Sequence, residues 1–290
     1  MVVNKLLAHT FSNFCMFNLE NVQFSRNDIR RGIFLPKKLS PLLAEDIGFH
    51  LGDGYLGDYS TEANPHKYEI SYSGHKIYDY PYYIETLFKR KLELFGICPK
   101  LFVSKTQNSI IAKNLSKAIV FFYRDVIGIS CGNKINACVP PMIKNSSRNI
   151  KISFIRGLFD ADSCLTFKKK HKNVNYYPCI ELTSINDDIF NTIKSFLLEF
   201  GFTFTTSIKS PEKYKRLKYL QHCIDINGKT NLDRWMRLIG FNNQKQLFKY
   251  SLWKKNGFCP PENVIEKIWW ARRDLNSWHS PCKGDVCHRF

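Results

Sequence analysis

No apolar run in this 290-residue chain approaches the roughly 20 residues needed to cross a bilayer. The opening stretch MVVNKLLAHTFSNFCMF is interrupted by His9, Ser12 and Asn13. It has no clean small-residue cleavage site and does not read as a signal peptide. Acidic residues are scarce: 25 Asp and Glu stand against 43 Lys and Arg, giving a formal charge of +18 and a pI near 9.4. That excess is too large for an ordinary metabolic enzyme and suits a polyanion, nucleic acid first. Closely paired cysteines are also missing. The ten Cys, at 15, 98, 131, 138, 164, 179, 223, 259, 282 and 287, form no CxxC. Reduced, partly buried thiols in a cytosol fit this scatter best. What the chain does have is apolar content, 44%, with 14% aromatic, enough for a substantial core and against wholesale disorder.

The stretch FIRGLFDADSCLTF, residues 154–167, combines two costly features. Phe154, Ile155, Leu158 and Phe159 recur at helical spacing as one buried face. Gly157 interrupts that face, at about 1 kcal/mol relative to Ala. Carboxylates then close it, and charge beside an apolar face is costly unless paired or bound to metal. An earlier stretch, DIGFHLGDGYLGDY (46–59), has the same build. Gly48 precedes Asp53 by five residues, as Gly157 precedes Asp162, and the two acids lie 109 apart.

Downstream landmarks repeat in the same order. Strand-like YEISYS and CIELTS each end in Ser. Helical stretches follow and end in Phe-Gly at Gly96 and Gly201, a C-cap signal. Two further strand candidates come next in each half: KLFVSKT with SIIAKNL, and FTFTTSIK with LQHCIDIN. Short helices then end in Ile-Gly at Gly128 and Gly240, and Lys134 and Lys245 follow, 81 and 83 residues after their acids. The expected fold is α+β: two pseudo-symmetric αββαββα units, residues 41–148 and 149–258. Residues 1–40 form an N-terminal extension and 259–290 a C-terminal tail.

With the two Gly-bearing helices side by side, Gly48 and Gly157 let the backbones approach closely. Two-fold pseudo-symmetry then brings Asp53 and Asp162 together. Two close carboxylates repel unless a cation sits between them, and hard oxygen ligands suit Mg²⁺. Acids sharing divalent ions beside a basic surface make a phosphodiester-hydrolysis site, one acid serving each strand of a duplex.

On these residues, GFHLGDG and GLFDADS resemble the two signature helices of the LAGLIDADG homing endonucleases, the archaeal two-motif or DOD type. GNKINACVPPMI and GFNNQK resemble further segments of that family, and the likeness covers about residues 41–258. It implies a saddle of antiparallel strands seated in the major groove of a long DNA site. It implies metal-dependent cutting of both strands across the minor groove, leaving 3′ overhangs. By position, Asp53 and Asp162 match the metal-binding acids, with the carbonyls of Gly52 and Ala161 as added ligands. Mg²⁺ is the expected cofactor, with Mn²⁺ as a substitute. Lys134 and Lys245 match basic residues that polarise the attacking water or stabilise charge on the phosphate. Gly48 and Gly157 match the interface glycines. There are departures. Ser163 follows the second acid where the family usually has Gly, which bears on the tight turn there. The first motif has His50-Leu51 where an acid often stands. Asp160 reads as a helix-end or packing residue, and His50 as a satisfied helix histidine.

Three basic loops are expected to contact DNA: Lys168, Lys169, Lys170 and Lys172 in one hairpin; Lys213, Lys215, Arg216 and Lys218 in the next; and Lys105, Gln107 and Asn108 in the first unit. Strand residues facing a groove would read bases through Asn, Gln, Lys and Arg. An EF-hand reading of DADSCL fails, because Leu165 stands where the loop needs Gly. The tail segment HSPCKGDVCH offers four zinc-ligand types without the tight paired spacings of zinc sites. The ends lack the splicing residues of an intein. The leading expectation is a monomeric, site-specific double-strand DNA endonuclease of a mobile element, cytoplasmic and nucleoid-associated, with no membrane partner. The alternative is a cleavage-inactive nucleic-acid-binding protein on the same scaffold, such as an intron RNA maturase; a basic structural protein is a third reading.

Overall fold

The chain is described by a computed structural model over residues 16–59, 67–215, 217–261 and 264. Helix α2 (Pro41–Asp53) begins where Ser40 accepts a hydrogen bond from the Leu43 amide at 3.1 Å, with Pro41 in the first turn. It runs into β1 (Gly54–Tyr59) and β2 (Lys67–His75). A helical segment follows as α3 (Tyr80–Tyr82), a π turn (Tyr83–Leu87) and α4 (Phe88–Phe95). Then come β3 (Lys100–Val103), β4 (Ser109–Leu115) and α5 (Lys117–Phe121), which continues as a second π turn (Phe122–Ile127). The second unit repeats this order: α7 (Arg148–Asp162), β5 (Ser163–Lys168), β6 (Tyr177–Ser184), α8 (Asp187–Glu199), β7 (Thr205–Lys209), β8 (Gln221–Asn227) and α9 (Lys229–Leu238). The short α6 (Pro141–Lys144) leads into α7, and α10 (Gln244–Asn256), which the sequence patterns did not announce, follows α9.

Each unit holds one antiparallel four-stranded sheet, in the orders β1-β2-β4-β3 and β5-β6-β8-β7. The registers correspond: Gly54 lies opposite Tyr72, and Ser163 opposite Leu182. One face of each sheet is covered by helices and supplies the core, through Leu56, Ile70 and Ile110 in the first unit and Leu165, Ile180 and Ile224 in the second. The expected C-cap glycines are in place: Gly96 and Gly201 adopt φ of +73° and +76°, values that L side chains rarely take. Part of the N-terminal extension packs on the first unit. Helix α1 (Arg26–Arg30) starts at Ser25, and the buried Asp28 carboxylate accepts from Ser25 and from the Ala118 amide at 3.2 Å.

The units meet along α2 and α7. The approach is backbone to backbone. A Cβ on Gly48 would run into the Phe154 carbonyl, and one on Gly157 into the Glu45 carbonyl. Neither obstacle is a side-chain end that could swing aside.

Where the units differ is inside. The first carries a buried polar network: Asp46 accepts from Lys91 at 2.7 Å, from Arg90 at 3.1 Å and from the Tyr123 hydroxyl. Arg90 also pairs with Glu45 at 2.8 Å. At the matching positions the second unit places apolar Ile155, Phe196 and Trp235. The correspondence is visible in the rings, His50 against Tyr123 at 4.9 Å and Phe159 against Trp235 at 4.6 Å. The six free cysteines among the described residues include buried Cys179, Cys223 and Cys259; Cys98 is disulfide-bonded, which corrects the expectation of reduced thiols throughout.

Gly157→Ala is expected to cost about 3 kcal/mol or more in urea denaturation, because backbone blocks the new methyl on a rigid helix. Wild-type stability would contradict the crossing described here. His50 gives a second expectation. Burial, then the nearby Lys91 and Lys134 charges, hold its pKa down to about 3. Between the unfolded value of about 6.5 and pH 3, the unfolded chain binds a proton that the folded chain refuses. Stability should therefore fall as pH drops below about 6.5, and His50→Phe, copying Phe159, should flatten that fall.

Candidate metal and nucleic-acid site

Asp53 and Asp162 are the last residues of α2 and α7, so the glycine-tight crossing delivers both to one place. A Cβ on Gly52 would meet the Ala161 methyl and lie 3.3 Å from Asp162 Oδ2. Asp53 is half-buried and solvent reaches Asp162, but protein surrounds both. Burial, then the Asp162 charge, then that of Asp79, raise the Asp53 pKa well above the carboxylate range. Burial pushes Asp162 up to about 6, opposed by Lys134. Both acids thus sit where a further positive charge would be welcome.

The residues after the acids are extended rather than tightly turned: Gly54 at φ −78°, ψ 154° and Ser163 at φ −106°, ψ 163°. No tight turn follows the second acid, so Ser163 is accommodated there without strain. Gly54 is required for space, since a Cβ would strike His50. Ser163 instead donates its hydroxyl to the Phe159 carbonyl at 2.6 Å.

Lys134 opens a short 3₁₀ turn (Lys134–Asn136) capped by Asn133. Its half-buried ammonium donates to the Gly52 carbonyl and to the Leu51 carbonyl at 3.3 Å. Burial lowers its pKa, opposed by Asp162 and then Asp53. The side-chain amide of Asn186, at the start of α8 in the other unit, holds this turn, donating to the carbonyls of Ile135 at 2.8 Å and Ala137 at 2.6 Å. Lys245 is placed differently, in the first turn of α10 with its ammonium 4.4 Å from the centre of the Tyr78 ring. The caps explain the difference. Asn133 accepts from the amide two residues on, and so does Asn243. In cap register Gln244, not Lys245, stands where Lys134 stands. Gln244 donates to Glu85 at 2.9 Å, and its buried Oε1 has no partner. Counting from the acids missed Gln244; aligning the two Asn caps finds it. Asp160 clamps this second turn, accepting from the Asn242 and Asn243 amides at 3.0 Å each. It is a helix-end residue with a definite task.

The basic loops lie at one end of the hairpins. Residues 169–172, 213, 215 and 218 are exposed, and so are Lys105, Gln107 and Asn108. Several ammonium groups lie over tyrosines, Lys170 at 3.5 Å from Tyr177 and Lys172 at 5.1 Å from Tyr176. Lys168 turns back to the sheet and pairs with Glu181 at 2.9 Å. Arg216 and the HSPCKGDVCH segment lie outside the described residues. Cys179, Glu181 and Asp225 converge on the open face of the second sheet. Burial pushes the Cys179 thiol up to about 12, against a thiolate ligand, and Lys168 already neutralises the acids. Among the described residues no helix is long and apolar enough to cross a membrane.

The family model of a LAGLIDADG-like domain matches residues 149–240. Among curated proteins, a DNA polymerase of Thermococcus sp. (strain GE8) is 29% identical over 77% of this chain and 12% of its own length. The tRNA-splicing ligase RtcB of Methanopyrus kandleri is 24% identical over 69% of this chain and 20% of its own length. The chain thus spans a fifth or less of these relatives. Among solved structures, I-DmoI in complex with DNA and Mn has a TM-score of 0.47 at 15% identity, covering 69% of this chain and 96% of that one. The I-LtrWI LAGLIDADG homing endonuclease bound to target DNA has a TM-score of 0.47 at 8% identity, covering 82% and 98%. Residues 149–240 thus match a LAGLIDADG-like domain, and the first unit repeats the same order of strands and helices.

Proposed function

We propose that this chain is a site-specific endonuclease that cuts both strands of duplex DNA with divalent metal and leaves 3′ overhangs. The observation that carries the reading is the pairing of Asp53 with Asp162 at the ends of two helices locked by reciprocal glycines. Hard oxygen donors held together in partly desolvated positions, the Asp162 charge raising the Asp53 pKa, fit Mg²⁺, or Mn²⁺ in its place. Asp53 and Asp162 would hold the ion, with the Ala161 carbonyl beside them and the Gly52 carbonyl joining once the Lys134 ammonium turns from it. When bound, the metal supplies charge neutralisation and an activated water.

The protein's own groups do the rest. Lys134 brings positive charge to the pair and stabilises charge building on the phosphate. Asp160 and Asn186 keep the two turns, and with them Lys134 and Lys245, in place. The basic loops supply phosphate contacts, so affinity should fall steeply with salt. One centre serves both strands, so a single chain suffices. One segment aligns with part of a polymerase and with part of a ligase, which fits a module of a mobile element carried by unrelated hosts.

The test is selection of cut sites from a randomised duplex library with Mg²⁺ or EDTA. A discrete, Mg²⁺-dependent set of staggered cuts is expected. Asp53→Asn and Asp162→Asn should each abolish double-strand cutting while binding in EDTA persists. Lys134→Met should slow cutting about 10²-fold or more at unchanged affinity. Full cutting by the Asp53→Asn, Asp162→Asn double variant would refute the assignment.

A further inference from the structure

The two sheets differ most on their open faces. Strand register fixes which residues correspond, because Gly54 and Ser163 open equivalent strands opposite Tyr72 and Leu182. Carried across each sheet, this register aligns Phe102 with Ser207, Ile111 with Cys223 and Leu115 with Asn227. The first sheet therefore shows solvent three large apolar side chains where the second has small or polar ones. Phe102 and Leu115 are each 52% exposed and Ile111 is 37% exposed. Phe102 and Ile111 are direct cross-strand partners, and Leu115 stands further along the same face of β4, beyond Lys113.

Exposed apolar side chains on open strands invite aggregation and mark surfaces that meet a partner. Charge identifies the partner. Lys100 and Lys113 face each other across β3 and β4 beside the patch, where the second sheet has Thr205 and Asp225. The Lys113 ammonium lies 5.9 Å from the centre of the Phe102 ring. Glu69, the acid on that face, is tied to Lys113 at 3.1 Å and to the Tyr59 hydroxyl at 3.0 Å. A surface of apolar groups flanked by Lys100 and Lys113 fits a polyanion that displays methyl groups. In a major groove that methyl is the C5-methyl of thymine, the apolar feature of the base edges, and RNA lacks it.

We infer that the open face of the first sheet reads thymine methyl groups in one half of the duplex target, while the second sheet reads its half through polar contacts. The inference rests on the nuclease reading and deepens it: the substrate is an asymmetric DNA site, thymine-rich under the first unit.

The experiment uses the full chain and a duplex selected by cleavage. Thymines are replaced by uracil, which removes only the methyl, in one half-site at a time, and affinity is measured in EDTA. In one half, affinity should fall about fourfold for each methyl that is buried; in the other it should change by less than about twofold. The variant Phe102→Ser with Leu115→Asn copies residues that the second sheet already carries. It should bind the thymine duplex more weakly and show a reduced uracil sensitivity in that half, Ile111 remaining in place. Equal responses in the two halves, or a variant as sensitive as wild type, would overturn the inference and leave the nuclease assignment standing. A library that yields no bound or cut duplex would remove both.

Discussion

The rest of the molecule depends on one contact, the crossing of α2 and α7 at Gly48 and Gly157. Each glycine faces a carbonyl of the other helix, at Phe154 and Glu45, so the packing is reciprocal. Helices that touch through backbone have little slack, because no side chain can rotate to absorb a shift. That rigidity fixes where the helices end, and they end in Asp53 and Asp162. Held there, both acids are pushed up by burial and Asp53 further by the Asp162 charge, an arrangement of the kind found at functional sites. The interior glycines and the carboxylates facing one another are thus two sides of one constraint.

Around that crossing the first unit is polar inside and the second is largely apolar. Asp46, Arg90, Lys91 and Tyr123 are all buried, and their counterparts are Ile155, Ser195, Phe196 and Trp235. A buried ionic cluster gains little net stability over an apolar core of the same shape, although breaking it by removing one member is costly. Its value lies in connection. Glu45 reaches out of this cluster to Arg156 at 3.0 Å and to Asn242 at 2.8 Å, both in the second unit. Asn242 belongs to the turn that Asp160 clamps, so the first unit's core and the second unit's site turn share one hydrogen-bonded chain.

Much of this was legible in the sequence because it lives in backbone requirements. Glycines at Gly48, Gly157, Gly96 and Gly201 answer to close approach or left-handed dihedrals, and such demands leave the same letter in both repeats. The order of strands and helices followed from alternation and caps. What was not legible lies in side-chain networks between distant segments. The offset between Lys134 and Lys245 hides in a two-residue cap pattern, which counting from the acids does not see. Helix α10 has apolar Phe248 and Trp253 facing the second sheet amid lysines, a weak pattern that only tertiary packing resolves. The Ser after the second acid departs from the family pattern for a local reason: the chain there is extended, and Gly54 is needed to clear a histidine that the second unit lacks.

Duplication within one chain explains how such differences can coexist with strict symmetry at the centre. The crossing needs both helices to present backbone, so a side chain is excluded at Gly48 and at Gly157 alike. Positions on the open faces of the sheets, such as Phe102 and Ile111, carry no comparable backbone-to-backbone demand. Each strand there alternates a core position with a free one, so Ile110 and Ala112 stay buried while Ile111 and Lys113 can change. A single chain can therefore hold one symmetric pair of acids and two unlike surfaces. A dimer of identical subunits would force both surfaces to be the same. The internal repeat frees the recognition faces from the symmetry that the acid pair requires.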